Sequence, residues 1–255
     1  MPRLCLLGTL VAVTASCATL PPRSEPIDGD RPHVGTGTHL VDPGEVQLEI
    51  GGQYQGDRRE RTFASPMLVR IGVNDRIEAR IGSDGLVGRQ GAQPARGIGK
   101  LQVSVKVPIA GPPDAPMLSV MPAVTFGTAS TAKGLGSGST DAMVVLLFGH
   151  ELTNRLHLEA NYGAGIIGSE QERRHGSQQL VTGAAVYSVT PTLAMYGEGV
   201  WWTRQQVSGS AVTVTDFGVI YTLRPHVLLD AGAMAGISDA APRYGGFAGI
   251  SFLAR

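Results

Sequence analysis

A strict two-residue alternation of apolar and polar side chains recurs from residue 45 almost to the end of this 255-residue chain, and it constrains the fold more than any other feature. Glu45, Gln47, Glu49 and Gln53 share one face of the first such stretch, while Val46, Leu48, Ile50 and Tyr54 share the other. Successive side chains of an extended strand point to opposite sides, so a period of two predicts strands. The pattern returns with Met67, Val69, Ile71 and Val73 against Arg70, and with Ile77, Ala79 and Ile81 against Arg76, Glu78 and Arg80. It returns again with Leu101, Val103, Val105 and Val107 against Lys100, Gln102, Ser104 and Lys106, and with Leu156, Leu158, Ala160 and Tyr162 against Arg155, His157, Glu159 and Asn161. Looser segments run over 115–127, 141–152, 178–189, 192–203, 211–222, 226–237 and 244–253. The total is about twelve strands of the roughly 9 to 11 residues that a tilted strand needs to cross a bilayer.

The connections alternate between short and long. Val73-Asn74-Asp75-Arg76-Ile77, Leu152-Thr153-Asn154-Arg155-Leu156, Val189-Thr190-Pro191-Thr192-Leu193 and Leu223-Arg224-Pro225-His226-Val227 are tight turns between apolar residues. Asn and Asp tolerate left-handed backbone and Pro presets φ, which suits them to such turns. Between them lie longer polar loops near 84–96, 128–140, 168–177 and 204–210. Short turns at one rim and long loops at the other are the plan of an outer-membrane barrel, with both chain ends on the periplasmic side. The connection from Ile109 to Ala115, longer than its counterparts, departs from this plan.

Alternation alone does not say whether the apolar face meets a core or lipid. Strand length, hairpin connectivity and an export signal favour lipid. After Pro2 and Arg3, the apolar run Leu4 to Ala15 has the length of a signal-peptide core and is too short for a spanning helix. Thr14-Ala15-Ser16-Cys17 is similar to a lipoprotein cleavage box, which leaves two readings of Cys17: an acylated first residue, or a bystander of ordinary cleavage. Residues 1–17 are therefore assigned to a signal peptide, 18–43 to a Pro-rich N-terminal linker and 44–255 to an all-β, transmembrane, up-and-down antiparallel barrel. Aromatic residues form 5% of the chain, so the girdle that such barrels carry is sparse. Its candidates are Tyr54, Phe126, Tyr162, Tyr187, Trp201 and Tyr221.

Lys+Arg and Asp+Glu both number 21, so no net field draws nucleic acid, and any charge effect is local. With the polar faces turned inward, Glu49, Arg70, Arg76, Glu78, Arg80, Lys100, Lys106, Glu151, Glu159, Glu198, Asp216 and Asp230 would share one enclosed space as lumen-lining residues. Such groups either pair across strands and brace the wall or line a water path and set its selectivity. Cys5 and Cys17 are the only thiols, which excludes cysteine catalysis in the barrel. His150, His157, His175 and His226 read as rim, loop or lipid-facing residues without a serine on a shared inward face. No His/Cys/carboxylate spacing suggests a metal, and no cofactor motif is present. Arg173, Arg174 and His175 beside Glu170 and Glu172 read as a solvated loop tip.

One resemblance accompanies these readings. Asp30-Arg31-Pro32, then Val41-Asp42-Pro43-Gly44-Glu45-Val46-Gln47-Leu48-Glu49, resembles the opening of the outer-membrane transporter family named for the MetA-pathway of phenol degradation. Leu68 to Glu78, Gly99-Lys100, Leu229-Asp230-Ala231-Gly232 and Ala240-Ala241-Pro242 continue it, so that it spans roughly residues 30 to 253. The resemblance implies a barrel in the bacterial outer membrane that passes small organic compounds. The expected function is thus a channel for small organic molecules, hydrophobic or aromatic ones included, through a charge-lined lumen, with outer-membrane lipid and the solute as partners. A structural or interaction barrel with a plugged lumen is the alternative, and a membrane-embedded hydrolase a further one.

Overall fold

The computed structural model describes residues 27–31, 34–112, 115 and 117–254. The proposed signal segment and Cys17 lie outside the described residues.

Strand β1 (Val46–Gly56) pairs with the last strand, β15 (Tyr244–Ala254), from Val46↔Ala254 to Gly56↔Tyr244, and this closes the sheet on itself. The second to fourth spans of the wall are each broken once. They are β2 (Arg61–Ala64) with β3 (Met67–Asn74), β4 (Ile77–Ser83) with β5 (Leu86–Gln90), and β6 (Ala95–Ile98) with β7 (Leu101–Ala110). The rest run unbroken: β8 (Leu118–Phe126), β9 (Asp141–Thr153), β10 (Leu156–Ser169), β11 (Arg174–Thr190), β12 (Leu193–Trp202), β13 (Val212–Arg224) and β14 (Val227–Gly236). The result is a closed antiparallel barrel of 12 spans with neighbour-to-neighbour connectivity, the architecture that the alternation predicts.

The faces are inverted relative to a soluble protein. Val103, Val144, Leu146, Met195, Phe217 and Phe252 are exposed on the outside, whereas Glu49, Arg70, Glu78 and Lys106 are buried. An apolar exterior over polar contents suits a wall bathed in lipid, and this barrel fold places the chain in the bacterial outer membrane. The five hairpins at the short-turn rim each carry a one-residue register shift, as between Gly72 and Asn74 or Ser188 and Thr190. Such bulges are common at barrel rims, where they bend the strand into its turn. At the opposite rim two expected loops are shorter than their polar composition suggests. β10 and β11 pair out to Ser169↔Arg174, and β5 pairs with β6 from Leu86↔Ile98 to Arg89↔Ala95.

The three strand breaks lie side by side and crease the wall. Ser65 N–H donates to Leu86 O at 3.0 Å, Gly99 N–H to Gly85 O at 2.8 Å, and Asp84 N–H to Lys100 O at 3.2 Å, so bonding continues through the fold line. Gly85 is required there: its φ is +62°, and a Cβ would sit 2.0 Å from Ser65 O. Above the crease, β2, β5 and β6 form a flap braced by the 127–140 loop, with Arg89 donating to Lys133 O at 3.1 Å and to Gly134 O at 3.0 Å.

Candidate functional site

Residues 27–31 and 34–44 do not behave as a free linker. They form a loop that enters the barrel at the short-turn rim, crosses its interior and returns to the same rim. Ile27 N–H donates to Pro225 O at 3.1 Å at one end, and Gly44 N–H to Gly72 O at 2.8 Å at the other. Between them the segment bonds to inward side chains of β1, β3, β4, β7, β8, β10, β12 and β14. A chain segment that reaches strands all round a closed barrel must lie within it. Ile27 and Val41 pack with Leu228 and Leu253, which gives the loop an apolar base.

On the β1–β7 side the loop completes an ion cluster. Arg70 makes two 3.0 Å bonds to Glu78 and one of 3.4 Å to Glu49. Asp30, from the loop, pairs with Arg80, with Arg70 at 3.6 Å and with Lys106 at 3.5 Å. Glu78 also takes Arg80 at 2.7 Å and Val41 N–H at 2.8 Å. Three carboxylates, Asp30, Glu49 and Glu78, thus meet three cations, Arg70, Arg80 and Lys106. Two-pronged Arg–carboxylate geometry and matched charge make such a buried set tolerable, whereas one missing partner strands a charge. Remaining donors are met by loop carbonyls: Lys106 bonds Gly37 O at 2.8 Å and His39 O at 3.0 Å, and Arg70 bonds Asp28 O at 3.0 Å.

The β10–β14 side is acidic, and the loop answers it with donors. Arg31 bonds Asp230 at 3.3 and 3.2 Å, and the N–H groups of Val34 and Gly35 both donate to Glu198, at 2.8 and 2.7 Å. Thr36 and Asn161 exchange two bonds, 2.7 and 3.0 Å. Gly35 is needed for this approach, since a Cβ would stand 2.8 Å from Glu198 Oε1 and 2.9 Å from Thr182 Oγ1. His157 turns inward from the rim, where its Nδ1 meets Glu151 at 2.7 Å and its Nε2 meets Glu159 at 3.3 Å.

Above the loop the interior is open. Two adjoining cavities of about 530 and 550 Å³ share Val34, Arg80, Asp84, Trp202 and Gln205 in their walls. One side of this vestibule is apolar, with Val212, Val214, Met234 and Trp202; the other carries Gln53, Gln102, Gln178 and Thr125. Lys100 stands at the crease 3.9 Å from Asp141 on the vestibule wall.

The twelve charged residues singled out by alternation therefore separate by place. Glu49, Arg70, Glu78, Arg80, Lys106, Glu198, Asp216 and Asp230 are buried, Glu159 nearly so, Lys100 borders the vestibule, and Glu151 is exposed at the short-turn rim. Arg76 is a correction: it is exposed in the β3–β4 turn, where its N–H caps Asn74 Oδ1 at 2.9 Å. β4 begins only at Ile77, so Arg76 belongs to the two-residue turn and not to the strand whose parity it follows. Trp202, not Trp201, lines the vestibule. Alternation missed Asp30, Arg31, Gly35 and Thr36 altogether, because an irregular Pro- and Gly-rich stretch has no period; the one signal was the family-like opening at Asp30-Arg31.

Several solved structures share the fold. An outer-membrane channel from Pseudomonas putida F1 aligns with a TM-score of 0.66 at 12% identity, over 85% of this chain and 98% of that one. The NanC porin aligns at 0.55 with 13% identity, over 80% and 98%, and the KdgM porin at 0.53 with 10% identity, over 81% and 98%. At these identities the likeness is one of fold. No curated protein matches the sequence. The family model described as "Putative MetA-pathway of phenol degradation" matches residues 29–254, from inside the inserted loop to the end of the last strand. The chain belongs to that family of outer-membrane barrel proteins.

Proposed function

We propose that this protein is an outer-membrane channel for small organic molecules, in which the vestibule receives the solute and residues 27–44 close the periplasmic half until they shift. The observation that carries the reading is the vestibule of about 530 Å³ directly above the inserted loop, whose wall sets Trp202, Val212, Val214 and Met234 beside glutamines and charged side chains. Trp202, Val212 and Val214 offer a partly apolar molecule contact area, and Gln53, Gln102 and the charged groups Arg80 and Asp84 offer it hydrogen bonds. Family membership supports aromatic or other hydrophobic compounds as the solutes. In this reading Glu49, Arg70, Glu78, Arg80, Lys106, Glu159, Glu198, Asp216 and Asp230 line the path and hold the loop across it, and Lys100 guards its upper entry.

A permanently closed barrel is the second reading, favoured by the burial of the loop and its many bonds to the wall. One recording separates the two. Thr36→Cys with Asn161→Cys puts a reducible tether where the two residues now exchange hydrogen bonds. The refolded protein in a planar bilayer is expected to conduct in discrete steps when reduced and to fall silent when oxidised, with the heat-modifiable gel shift confirming folding in both states. Silence in both states would establish the closed barrel; equal conductance in both would leave the channel standing and remove the loop as its gate.

A further inference from the structure

The outer face of the flap carries features that the solute path does not use. Leu86 and Ile98 pair across β5 and β6 and, at 66% exposure each, are the most exposed large apolar side chains among the described residues. Strand pairing puts Phe63, Gly88 and Arg96 on the same outward face, with Arg61 two residues beyond Phe63. Gly88 leaves a trough between Phe63 and Arg96, since a Cβ there would touch nothing within 4 Å. These residues border an external groove of about 570 Å³.

The groove's depth in the bilayer follows from the strand. Leu86 lies nine residues above Ile77, where the outward apolar row of β4 begins, which at ~3.3 Å per residue and ~40° of tilt is a rise of up to ~23 Å across the crease. An outer-membrane barrel's apolar band is ~25 Å tall. Leu86 and Ile98 therefore reach its outer edge, and Arg96 and then Arg61 rise into the headgroup layer.

Charge points the same way. Residues 57–61 and 89–96 hold Arg58, Arg59, Arg61, Arg89 and Arg96 against Asp57 and Glu60, in a chain whose net charge is zero. Two other arginines on this rim have carboxylate partners, Arg174 with Glu172 at 3.5 Å and Arg243 with Asp239 at 3.2 Å. Arg61 and Arg96 have none among the described residues, and both are exposed. The flap holds them in place: Lys133 bonds Arg96 O at 3.0 Å, and Arg89 bonds the same loop from the inner face. Two forked donors above an apolar floor match a phosphate above acyl chains.

From this we infer that the flap's outer face is a binding site for a phosphorylated acyl lipid of the outer leaflet, with Arg61 and Arg96 on the phosphate and Phe63, Leu86 and Ile98 against the chains. The site is independent of the solute path. Titrating bisphosphorylated lipid A into the detergent-solubilised, folded full chain, with bound lipid counted by native mass spectrometry, tests it. Arg61→Gln with Arg96→Gln is expected to weaken binding tenfold or more while leaving the weak binding of dephosphorylated lipid A unchanged, and Leu86→Ser with Ile98→Ser to weaken both. The gel shift verifies that each variant folds. Equal lipid A binding by wild type and the double arginine variant would overturn the proposal, as would full competition by inorganic phosphate, which would make the site one for free anions.

Discussion

The two halves of the barrel interior are built on opposite principles. The periplasmic half is filled: Asp30, Glu49 and Glu78 face Arg70, Arg80 and Lys106, and each charge depends on partners from other strands or from the inserted loop. The extracellular half is open, and the ion pair of Lys100 with Asp141 at 3.9 Å lies on a cavity wall there. Similar residue types thus do different work. In the filled half a charge is part of the packing, and its removal strands a partner away from water. In the open half water solvates whatever a substitution leaves behind.

The largest effect should come from the filled half. Lys106→Met is expected to destabilise the folded barrel by about 3 to 5 kcal/mol in urea titrations in detergent, because Asp30 and Glu78 lose a fully buried partner. Next comes the wall itself. Val103→Arg places a charge on the lipid face and should cost about 2 to 4 kcal/mol. Gln102→Arg, one residue along and facing the vestibule, should be tolerated; equal losses at the two positions would refute the facing of this strand.

A smaller loss, about 1 to 3 kcal/mol, is expected for Gly35→Ala, whose new methyl group presses on Glu198 and Thr182. Its signature is local: amide exchange should quicken at Val34, Gly35 and Thr36 while β3 and β4 stay protected, and uniform quickening would mean that the loop tip and the ion cluster unfold as one. Least of all, Lys100→Met should shift stability by less than about 1 kcal/mol yet change the ion selectivity of the conducting state. A loss as large as that of Lys106→Met would erase the contrast between the halves.

How far the sequence reaches is seen by comparing β1 with the segment before it. In β1 the parity of Gln47 and Glu49 against Val46 and Ile50 assigns every side chain to its face, because the pleat imposes a period of two on any strand. The Asn74-Asp75 and Pro191-Thr192 turns were equally legible, since their backbone needs are local. Arg76 shows where parity stops: it matches the alternation in sequence, but it sits in the turn that Asn74 and Ile77 close, one residue before β4 begins. The crease also escaped parity: β2 keeps the alternation of β3, whereas β5 and β6 reverse that of β4 and β7, with Leu86 and Ile98 outward at odd separations from Ile81 and Val103, and the reversal falls in the polar and glycine-containing steps at 84–85 and 99–100.

The sequence by itself determined the main strands, their facing, the tight turns at one rim and hence a lipid-coated barrel, since each follows from backbone geometry over a few residues. Only the tertiary structure decided what fills that barrel. Asp30 becomes the centre of an ion cluster when closure of the sheet brings Arg70, Arg80 and Lys106 around it from 40, 50 and 76 residues along the chain. Arg31 finds Asp230 199 residues away for the same reason. Complementary charge at such separations leaves no periodic trace, because the distance that matters is the one across the lumen.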